Sequence, residues 1–380
     1  MLACEHFGGL FCYYLIRNRM TINMRKILET DSAFDLETKL GIDGIKFLDI
    51  ENPIFKIYGV KQENGVYRRM PEAVARTVSE GVHSLHANCA GGRVRFKTDS
   101  RHIAINAQYV TVHKSPRFPL CGSAGFDMYI TDEVDGKETY YDTFLPPLDF
   151  DDCYESVLSF KEKKTRQITI NFPTFSSVKK LYIGLDEESY IEEAQDYKIS
   201  TPIVYYGSSI TQGCGVCRPG NIYQARISRE FDADYVNLGF GGNCKGEQAM
   251  ADYIKNLDMS VFVYDYDHNT PNVEYLENTH EKFFNIIRKA QPQLPIIMMS
   301  APVFFPDSNW ERRKAVIKKT YTNAVNNGDK NVYFIDGKDL MQFAENDGTV
   351  DNCHPNDLGF YSMAKVLSNV LGEVLLKNSL

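Results

Sequence analysis

Residues 203–210 are Ile203-Val204-Tyr205-Tyr206-Gly207-Ser208-Ser209-Ile210, an apolar and β-prone run followed by a small residue and two serines. A strand that ends in this way holds a serine hydroxyl at the rim of a parallel sheet. A matching segment lies far downstream, where Asp351-Asn352-Cys353-His354-Pro355 places an aspartate three residues before a histidine. Serine, aspartate and histidine together supply the parts of an acyl-transfer triad.

Apolar runs alternate with helix-length segments throughout the C-terminal half. We predict strands at 203–206, 235–238, 261–266, 296–300 and 332–335, and helices at 221–231, 246–257, 273–290, 309–326 and 357–376. This alternation indicates a parallel sheet covered by helices on both faces, which is a three-layer α/β/α domain. The reactive groups of such a domain gather at the carboxyl ends of its strands.

The N-terminal half has a different rhythm, because polar and apolar residues alternate over short stretches. Expected strands there are 93–98, 102–106, 140–144, 167–172 and 178–185. Period two predicts antiparallel sheet, and many short strands predict a β-sandwich, jelly-roll-like in arrangement. The polar, acidic stretch 187–198 is typical of a linker. We therefore expect a β-domain at 24–195 and an α/β domain at 196–380.

Residues 1–23 are expected to form a poorly structured leader or an extension from an upstream start. An apolar run there follows Glu5 and precedes Arg17, which reverses the charge order of a signal peptide. Met20 or Met24 would then be the natural beginning. The nine cysteines are an odd number in 380 residues, as is typical of free thiols in a reducing compartment. We expect a cytoplasmic protein.

Composition argues against some classes of partner. Charged residues make up 24% of the chain, the formal net charge is −8, and Lys and Arg form no dense run. Nucleic acid and anionic membrane are therefore not expected as main partners. No apolar run reaches the ~18 residues that span a bilayer. The sequence leaves the oligomeric state open, and a homo-oligomer is one of the states that it allows.

Polar or Gly-rich segments lie at four places next to the predicted elements of the α/β domain. They are 207–213, 237–243, 265–271 and 351–355. Over roughly residues 200–380 this order resembles the four sequence blocks of the SGNH (GDSL-like) hydrolases. The first block of that family usually has the sequence Gly-Asp-Ser and here is Gly207-Ser208-Ser209, so Ser208 takes the place of the usual aspartate.

The resemblance implies a role for each matched residue. It makes Ser209 the nucleophile and His354 the base. A serine hydroxyl needs such a base within hydrogen-bond reach, because it is a poor nucleophile by itself. It makes Asp351 the group that orients His354. The tetrahedral intermediate carries an oxyanion, for which the implied donors are the backbone N–H groups of Ser209 and Gly242 and the side-chain amide of Asn269. No cofactor and no metal ion are implied.

A second resemblance lies in the β-domain. The run Gly125-Phe126-Asp127-Met128-Tyr129 is similar to the Gly-x-Asp-Leu-Tyr signature of a β-rich domain that precedes some bacterial SGNH domains. Carbohydrate esterases with a jelly roll ahead of an SGNH domain share this layout. The two resemblances imply a serine esterase that deacetylates a carbohydrate, acting on a small-molecule or oligosaccharide ester. A lipase or thioesterase of longer acyl chains is the alternative enzyme, and a noncatalytic glycan-binding protein is the alternative outside catalysis.

Several residues near the blocks keep more than one interpretation. Ser208 is a second candidate nucleophile, and some relatives work with a Ser-His dyad, without the aspartate. His268 is a rival base or a substrate contact, and Arg218 is a possible substrate contact. Cys214 and Cys217 have the spacing of a redox or zinc pair, although no second such pair exists. Trp310, the only tryptophan, either packs at a helix start or lines a sugar site.

Overall fold

The structure, a computed structural model, describes residues 25–27, 34, 36–132, 136–303 and 306–377. The predicted leader at 1–23 lies outside the described residues. The described part of the chain contains an N-terminal half built of antiparallel strands and a C-terminal half built around a parallel sheet. No helix in the described ranges combines the length and the apolar character that a membrane span requires.

The N-terminal half folds as a β-sandwich, as predicted. Its strands are β1 (Arg25–Lys26), β2 (Ile45–Asp49), β3 (Lys56–Tyr58), β4 (Lys61–Glu63), β5 (Val66–Arg68), β6 (Arg93–Thr98), β7 (His102–Thr111), β8 (Phe126–Thr131), β9 (Glu138–Phe144), β10 (Cys153–Ser159), β11 (Arg166–Asn171), β12 (Ser177–Asp186) and β13 (Tyr190–Glu193). One sheet has the order β1-β13-β6-β11-β8-β9 with β3 also paired to β6, and the other has the order β10-β7-β12-β2. Inward-facing residues of both sheets, such as Phe96 and Ile183, share one buried core.

The prediction of a linker at 187–198 is wrong for its central part. Strand β13 lies inside this stretch and pairs antiparallel with β6, with Ile191 opposite Thr98. Ile191 is fully buried in the sandwich core, whereas Glu192 faces outward and forms an ion pair with Lys97. A single apolar residue among acidic ones is enough for a short antiparallel strand, because only one face of that strand is buried.

The C-terminal half is a three-layer α/β/α domain, as predicted. Its strands are β14 (Ile199–Gly207), β15 (Ala233–Gly239), β16 (Val261–Asp265), β17 (Ile296–Met299) and β18 (Val332–Ile335), all parallel in the order β15-β14-β16-β17-β18. Short helices α1 (Glu72–Val78), α2 (Glu80–Leu85) and α3 (Leu120–Ser123) precede this domain along the chain, and its own helices are α4 (Ser209–Gln212), α5 (Tyr223–Phe231), α6 (Gln248–Ile254), α7 (Val273–Ala290), α8 (Ser308–Asn326), α9 (Gly337–Leu340) and α10 (Asp357–Lys377).

Each face of the parallel sheet has its own apolar core, since successive strand residues point in opposite directions. Tyr205 packs with α5 and α10 on one face, and Tyr206 packs with α6, α7 and α8 on the other. After β14 the chain moves to the neighbouring edge strand β15 and then crosses back to β16 on the opposite side of β14. The crevice at the carboxyl ends of β14 and β16 is therefore the switch point at which α/β sheets bind ligands.

Helices α1 and α2 belong to the N-terminal half of the chain but pack against the α/β domain. Their residues Ala75 and Val82 are fully buried in the same apolar core as Tyr206. Gly81 lies so close to the loop after β15 that an added Cβ would meet the Asn243 Oδ1 atom at 1.8 Å. The two halves of the chain thus share a packed interface next to the switch point.

Candidate active site

The turn between β14 and α4 separates the two serines of the first block. Ser208 caps α4, with its Oγ accepting a hydrogen bond from the backbone N–H of Ile210 at 3.2 Å, and its side chain is buried. Ser209 is the first residue of α4 and faces a cleft between the two domains. A Cβ at Gly207 would meet the Asp265 carboxylate at 1.8 Å, so the last residue of β14 has to be a glycine.

Ser209, His354 and Asp351 form one hydrogen-bonded chain. The Ser209 Oγ atom lies 2.9 Å from His354 Nε2, and His354 Nδ1 lies 2.9 Å from Asp351 Oδ2. These partners assign the neutral tautomer in which Nδ1–H donates to the carboxylate and Nε2 accepts the serine proton. The structure therefore brings together the three residues predicted to act as nucleophile, base and orienting group.

The loop before α10 holds Asp351 in place. The carboxylate accepts hydrogen bonds from the backbone N–H groups of His354 at 2.9 Å and Cys353 at 3.2 Å. Burial acts to raise the pKa of Asp351, but the hydrogen bonds and charge of His354 outweigh it, so the pKa lies below its ordinary value. Asn352 has a φ of 62°, which lets the chain reverse between the two catalytic side chains. Asp351 is thus ionised and already oriented towards the imidazole.

Two candidate oxyanion donors, Gly242 and Asn269, follow the strands β15 and β16 and line the same cleft as Ser209. Gly242 has a φ of 71° and open space where a Cβ would stand, and its N–H donates no hydrogen bond to the described residues. The Asn269 Oδ1 atom accepts a hydrogen bond from Cys244 N at 3.3 Å, which directs the amide Nδ2 group as a donor. Gly241 N, by contrast, donates to Gln212 Oε1 at 2.9 Å and fixes this loop to α4. Gly242 and Asn269 both line the cleft with Ser209.

The cleft has a volume of about 650 Å³ and is lined by both domains. The β-domain contributes an aromatic wall made of His113, Phe118 and Phe175, whose ring centroids lie 5.2–5.5 Å apart. It also contributes Arg117, whose Nε atom lies 3.4 Å from Asp351 Oδ2. No motif distinguishes residues 112–119 in the sequence, so the contribution of His113, Arg117 and Phe118 to the cleft was not predicted.

His268 lies in the cleft beside Asn269, a position that both of its interpretations, rival base and substrate contact, require. Burial lowers its pKa to about 4, with the nearby charges of His354 and Arg313 adding to the effect. Its ring packs edge-on against Trp310 at 4.9 Å, and its Nε2 atom is buried without a hydrogen-bond partner among the described residues. Trp310 itself lies in the first turn of α8 and does not line the cleft, which agrees with the helix-start interpretation.

Arg218 does not line the cleft, contrary to its prediction as a possible substrate contact. Its Nη1 atom lies 3.0 Å from the buried Asp127 carboxylate and also bonds the Tyr129 hydroxyl. The arginine therefore contacts the β-domain signature. The strong attraction of a buried carboxylate for a guanidinium explains why the side chain turns away from the substrate side.

The cysteines do not form a redox or metal centre in the described structure. Burial raises the pKa of the Cys214 and Cys217 thiols to about 12, so both stay protonated near neutral pH. Cys214 and Cys353 line the cleft, Cys217 faces Asn221, and Cys244 is fully buried. Among the described residues, no group of three or more His, Cys, Asp and Glu side chains is placed to hold a metal ion.

Two family models match the chain, one in each half. Residues 200–372 match the GDSL-like lipase/acylhydrolase family, and residues 45–191 match the domain found at the N-terminus of SGNH_hydro-type esterases. The second match includes the Gly125–Tyr129 run, which ends in the tyrosine that touches Arg218. A comparison with curated protein sequences gave no match.

Solved structures resemble the chain over both halves. A protein of Bacteroides ovatus described as a GDSL-like lipase is 28% identical, with a TM-score of 0.78, 87% of this chain covered and 98% of the other. The salicylyl-acyltransferase SsfX3 of a tetracycline biosynthetic pathway is 20% identical, with a TM-score of 0.69 and the same coverage of 87% and 98%. The acetyl xylan esterase Est2A of the rumen bacterium Butyrivibrio proteoclasticus is 13% identical, with a TM-score of 0.57, again covering 87% and 98%. The last two likenesses establish the two-domain fold alone.

Proposed function

We propose that this chain, which belongs to the GDSL-like lipase/acylhydrolase family through residues 200–372, is a serine esterase that removes acetyl groups from a carbohydrate. The observation that carries the proposal is the hydrogen-bonded chain from Ser209 through His354 to Asp351, with contacts of 2.9 Å at both steps. The N–H group of Gly242 and the amide of Asn269 line the same cleft as Ser209, which supports their proposed role as oxyanion donors.

The reaction proceeds in two steps at the Ser209 hydroxyl. In the first, His354 Nε2 takes the serine proton while the oxygen attacks the ester carbonyl, and the imidazolium then gives that proton to the leaving alcohol. Asp351 holds the ring and stabilises its positive charge. The developing oxyanion is bound by the Ser209 and Gly242 N–H groups and by Asn269 Nδ2. In the second step His354 takes a proton from a water that attacks the acyl carbonyl and gives it to the Ser209 oxygen as the acyl–oxygen bond breaks, so the acyl group leaves as an acid and the serine is restored.

The carbohydrate part of the proposal is supported by the walls of the cleft. The aromatic wall of His113, Phe118 and Phe175 offers flat apolar surface, and the cleft also presents amide and hydroxyl groups for orientation. Solved structures with the same two-domain arrangement include an acetyl xylan esterase and other carbohydrate esterases by name. The β-domain therefore has a place in substrate binding in this proposal, beyond framing the site.

A screen of substrates tests the proposal. The wild type and Ser209→Ala are incubated with acetylated oligosaccharides, and loss of acetyl groups is followed by mass. Nitrophenyl esters with acyl chains from two to twelve carbons are measured alongside, because a lipase or thioesterase would prefer six carbons or more. We expect deacetylation by the wild type only, with a preference for two-carbon chains.

The same screen separates the remaining alternatives. A preference for long acyl chains would contradict the acetylesterase assignment and leave an acylhydrolase of another specificity. Oligosaccharide binding without turnover of any ester would favour a glycan-binding protein. Product analysis in the presence of added alcohols distinguishes hydrolysis from acyl transfer, the activity named for one protein that shares the fold.

A further inference from the structure

We propose that Arg117 is a specificity residue that binds a carboxylate group carried by the ester substrate. The inference rests on the proposed esterase function and narrows its substrate class to acidic esters. The carboxylate belongs either to the alcohol part, as in an acylated uronic acid, or to the acyl part, as in a half-ester of a dicarboxylic acid. Both sources present the same group to the same guanidinium, and the experiment below separates them.

Arg117 is placed at the cleft by the β-domain and not by the α/β domain. It lies in the loop between β7 and α3 and lines the cleft together with Ser209 and His354. The backbone of this loop is anchored, since His113 N donates to Ser176 Oγ at 3.0 Å and Ser123 Oγ donates to the His113 carbonyl at 2.7 Å. The side chain beyond this anchor is 64% exposed. A fixed backbone with an exposed guanidinium suits a ligand contact.

Most donors of Arg117 are uncommitted. Its contact with Asp351 is made through Nε at 3.4 Å, and its Nη1 and Nη2 groups donate no hydrogen bond to the described residues. Arginines in the domain interface differ, because Arg69 and Arg93 each donate to several backbone carbonyls. A planar guanidinium with both terminal nitrogens free matches the two oxygens of a carboxylate.

The permanently charged side chain in the cleft lining is positive. Among the described residues that line it, Arg117 is the one with a permanent charge, and no Lys, Asp or Glu stands with it. Asp351 is not among the lining residues. Its side chain is 28% exposed, and its carboxylate accepts hydrogen bonds from the His354 ring and from two backbone N–H groups. An incoming carboxylate therefore meets the free terminal nitrogens of a guanidinium in a lining that contains no carboxylate among the described residues.

A positioning role through Asp351 makes a different prediction from a substrate contact. If Arg117 only held Asp351, its removal would slow every ester by the same factor, because each substrate uses the same triad. If Arg117 binds a substrate carboxylate, its removal slows acidic esters selectively. The two roles therefore separate when neutral and acidic substrates of the same shape are compared in one variant.

The experiment compares kcat/KM for matched esters in the wild type, Arg117→Gln, Arg117→Lys and Lys114→Gln. The esters are an acetylated methyl glucuronoside and its acetylated methyl glucoside counterpart, and a succinyl half-ester with its butyryl counterpart. Lys114→Gln removes a charge from the same loop, but its Nζ bonds the Phe150 carbonyl and it does not line the cleft. This variant controls for the loss of a positive charge from the loop at a position outside the cleft.

We expect Arg117→Gln to lower kcat/KM about 10- to 100-fold for one acidic ester and less than about threefold for its neutral counterpart. Arg117→Lys keeps part of the preference, Lys114→Gln keeps all of it, and added salt weakens it in the wild type. The acidic ester that responds identifies the source of the carboxylate. Equal losses on acidic and neutral esters, or a wild type without preference, would overturn the proposal.

Binding to an inactive variant separates this proposal from the proposed function. Ser209→Ala and the double variant Ser209→Ala/Arg117→Gln are titrated with methyl glucuronoside and with succinate by calorimetry. Binding of either that requires Arg117 supports the carboxylate site, even if no ester tested is hydrolysed. Binding of neither ligand, in an enzyme that hydrolyses neutral acetyl esters, would refute the carboxylate site and leave the esterase function standing.

Discussion

The buried carboxylate of Asp127, in the β-sandwich, lies 3.0 Å from the Nη1 atom of Arg218, which belongs to the α/β domain. The other donors to this carboxylate are Gly220 N at 2.8 Å and Asn171 Nδ2 at 2.9 Å. Arg218 and Gly220 lie on the loop that leads from α4, which begins with Ser209, to α5. The signature run Gly125–Tyr129 therefore docks one domain onto the loop that follows Ser209 and α4 in the other.

This contact predicts a large loss of stability when one partner is removed. Asp127→Ala leaves a largely buried guanidinium uncompensated, and we expect the free energy of unfolding to fall by about 3 kcal/mol. Urea unfolding measures it. In the double variant Asp127→Ala/Arg218→Met, the Arg218→Met change lowers the free energy of unfolding by less than it does in the wild type, because the pair is already broken. Strict additivity of the two losses would contradict the docking role.

The two serines of the first block predict opposite effects on activity and stability. Ser209→Ala removes the nucleophile and lowers kcat by about 10³-fold or more with unchanged folding. Ser208→Ala removes only the helix cap, so it lowers the free energy of unfolding by about 1 kcal/mol and keeps esterase activity. Turnover of a nitrophenyl acetate and thermal unfolding are measured for both. An active Ser209→Ala with an inactive Ser208→Ala would reverse the assignment.

The parallel-sheet domain was predictable because its strands are buried on both faces and are therefore continuous apolar runs. Val332–Ile335 and Val273–Ala290 lie at the positions predicted for the last strand and for the third helix. The polar residues that follow such runs come together at one edge of the sheet for topological reasons. Ser209 and Asn269 could thus be placed near each other without knowledge of the strand order.

The β-domain contacts were not predictable, because they depend on long-range packing. Helices α1 and α2 lie within a stretch whose alternation indicates strands, and the Ser79 cap before α2 is their clearest local signal. Arg218 was a possible substrate contact because it follows the first block in sequence, and the sequence does not reveal that it pairs with the buried Asp127. Arg117 lies far from every block in sequence, so nothing local connects it with Asp351.

Asn269 predicts a selective loss in the chemical step. In the proposed mechanism its Nδ2 group binds the oxyanion in the transition state more strongly than the ester carbonyl in the ground state, so we expect Asn269→Ala to lower kcat about 10²–10³-fold with little change in KM. Steady-state kinetics and the melting temperature are measured together. A fall of less than about tenfold in kcat would show that the amide does not contact the oxyanion.

We expect that the titration of His268 does not contribute to the dependence of kcat/KM on pH. Because burial, aided by the charges of His354 and Arg313, lowers its pKa to about 4, His268 stays neutral above pH 5. His268→Gln should therefore keep the shape of kcat/KM against pH between about pH 5 and 9, even if its level falls. Loss of the acid limb in this variant would instead make His268 the base, and His354→Gln is the matched comparison.

The buried carboxyl group of Asp265 leads us to expect that the free energy of unfolding falls as the pH rises. This buried carboxyl accepts a hydrogen bond from Thr211 Oγ1 at 2.7 Å and stands next to the Gly207 backbone that leads to Ser209. Burial raises its pKa to about 8, and the negative charge of Asp267 adds to the rise. Between the ordinary aspartate pKa of about 4 and this value, the folded protein binds more protons than the unfolded chain.

The free energy of unfolding therefore decreases with pH across this window, by up to about 1.4 kcal/mol per pH unit from this group. Asp265→Asn cannot ionise, so this part of the slope disappears, whatever constant amount the substitution costs at every pH. Urea unfolding of both proteins from pH 5 to 8 measures the two slopes, with Asp151→Asn, 94% exposed, as the surface control. Parallel slopes in the wild type and Asp265→Asn would mean that Asp265 is ionised in the folded protein, and the turn at Ser209 would then have to accommodate a buried charge.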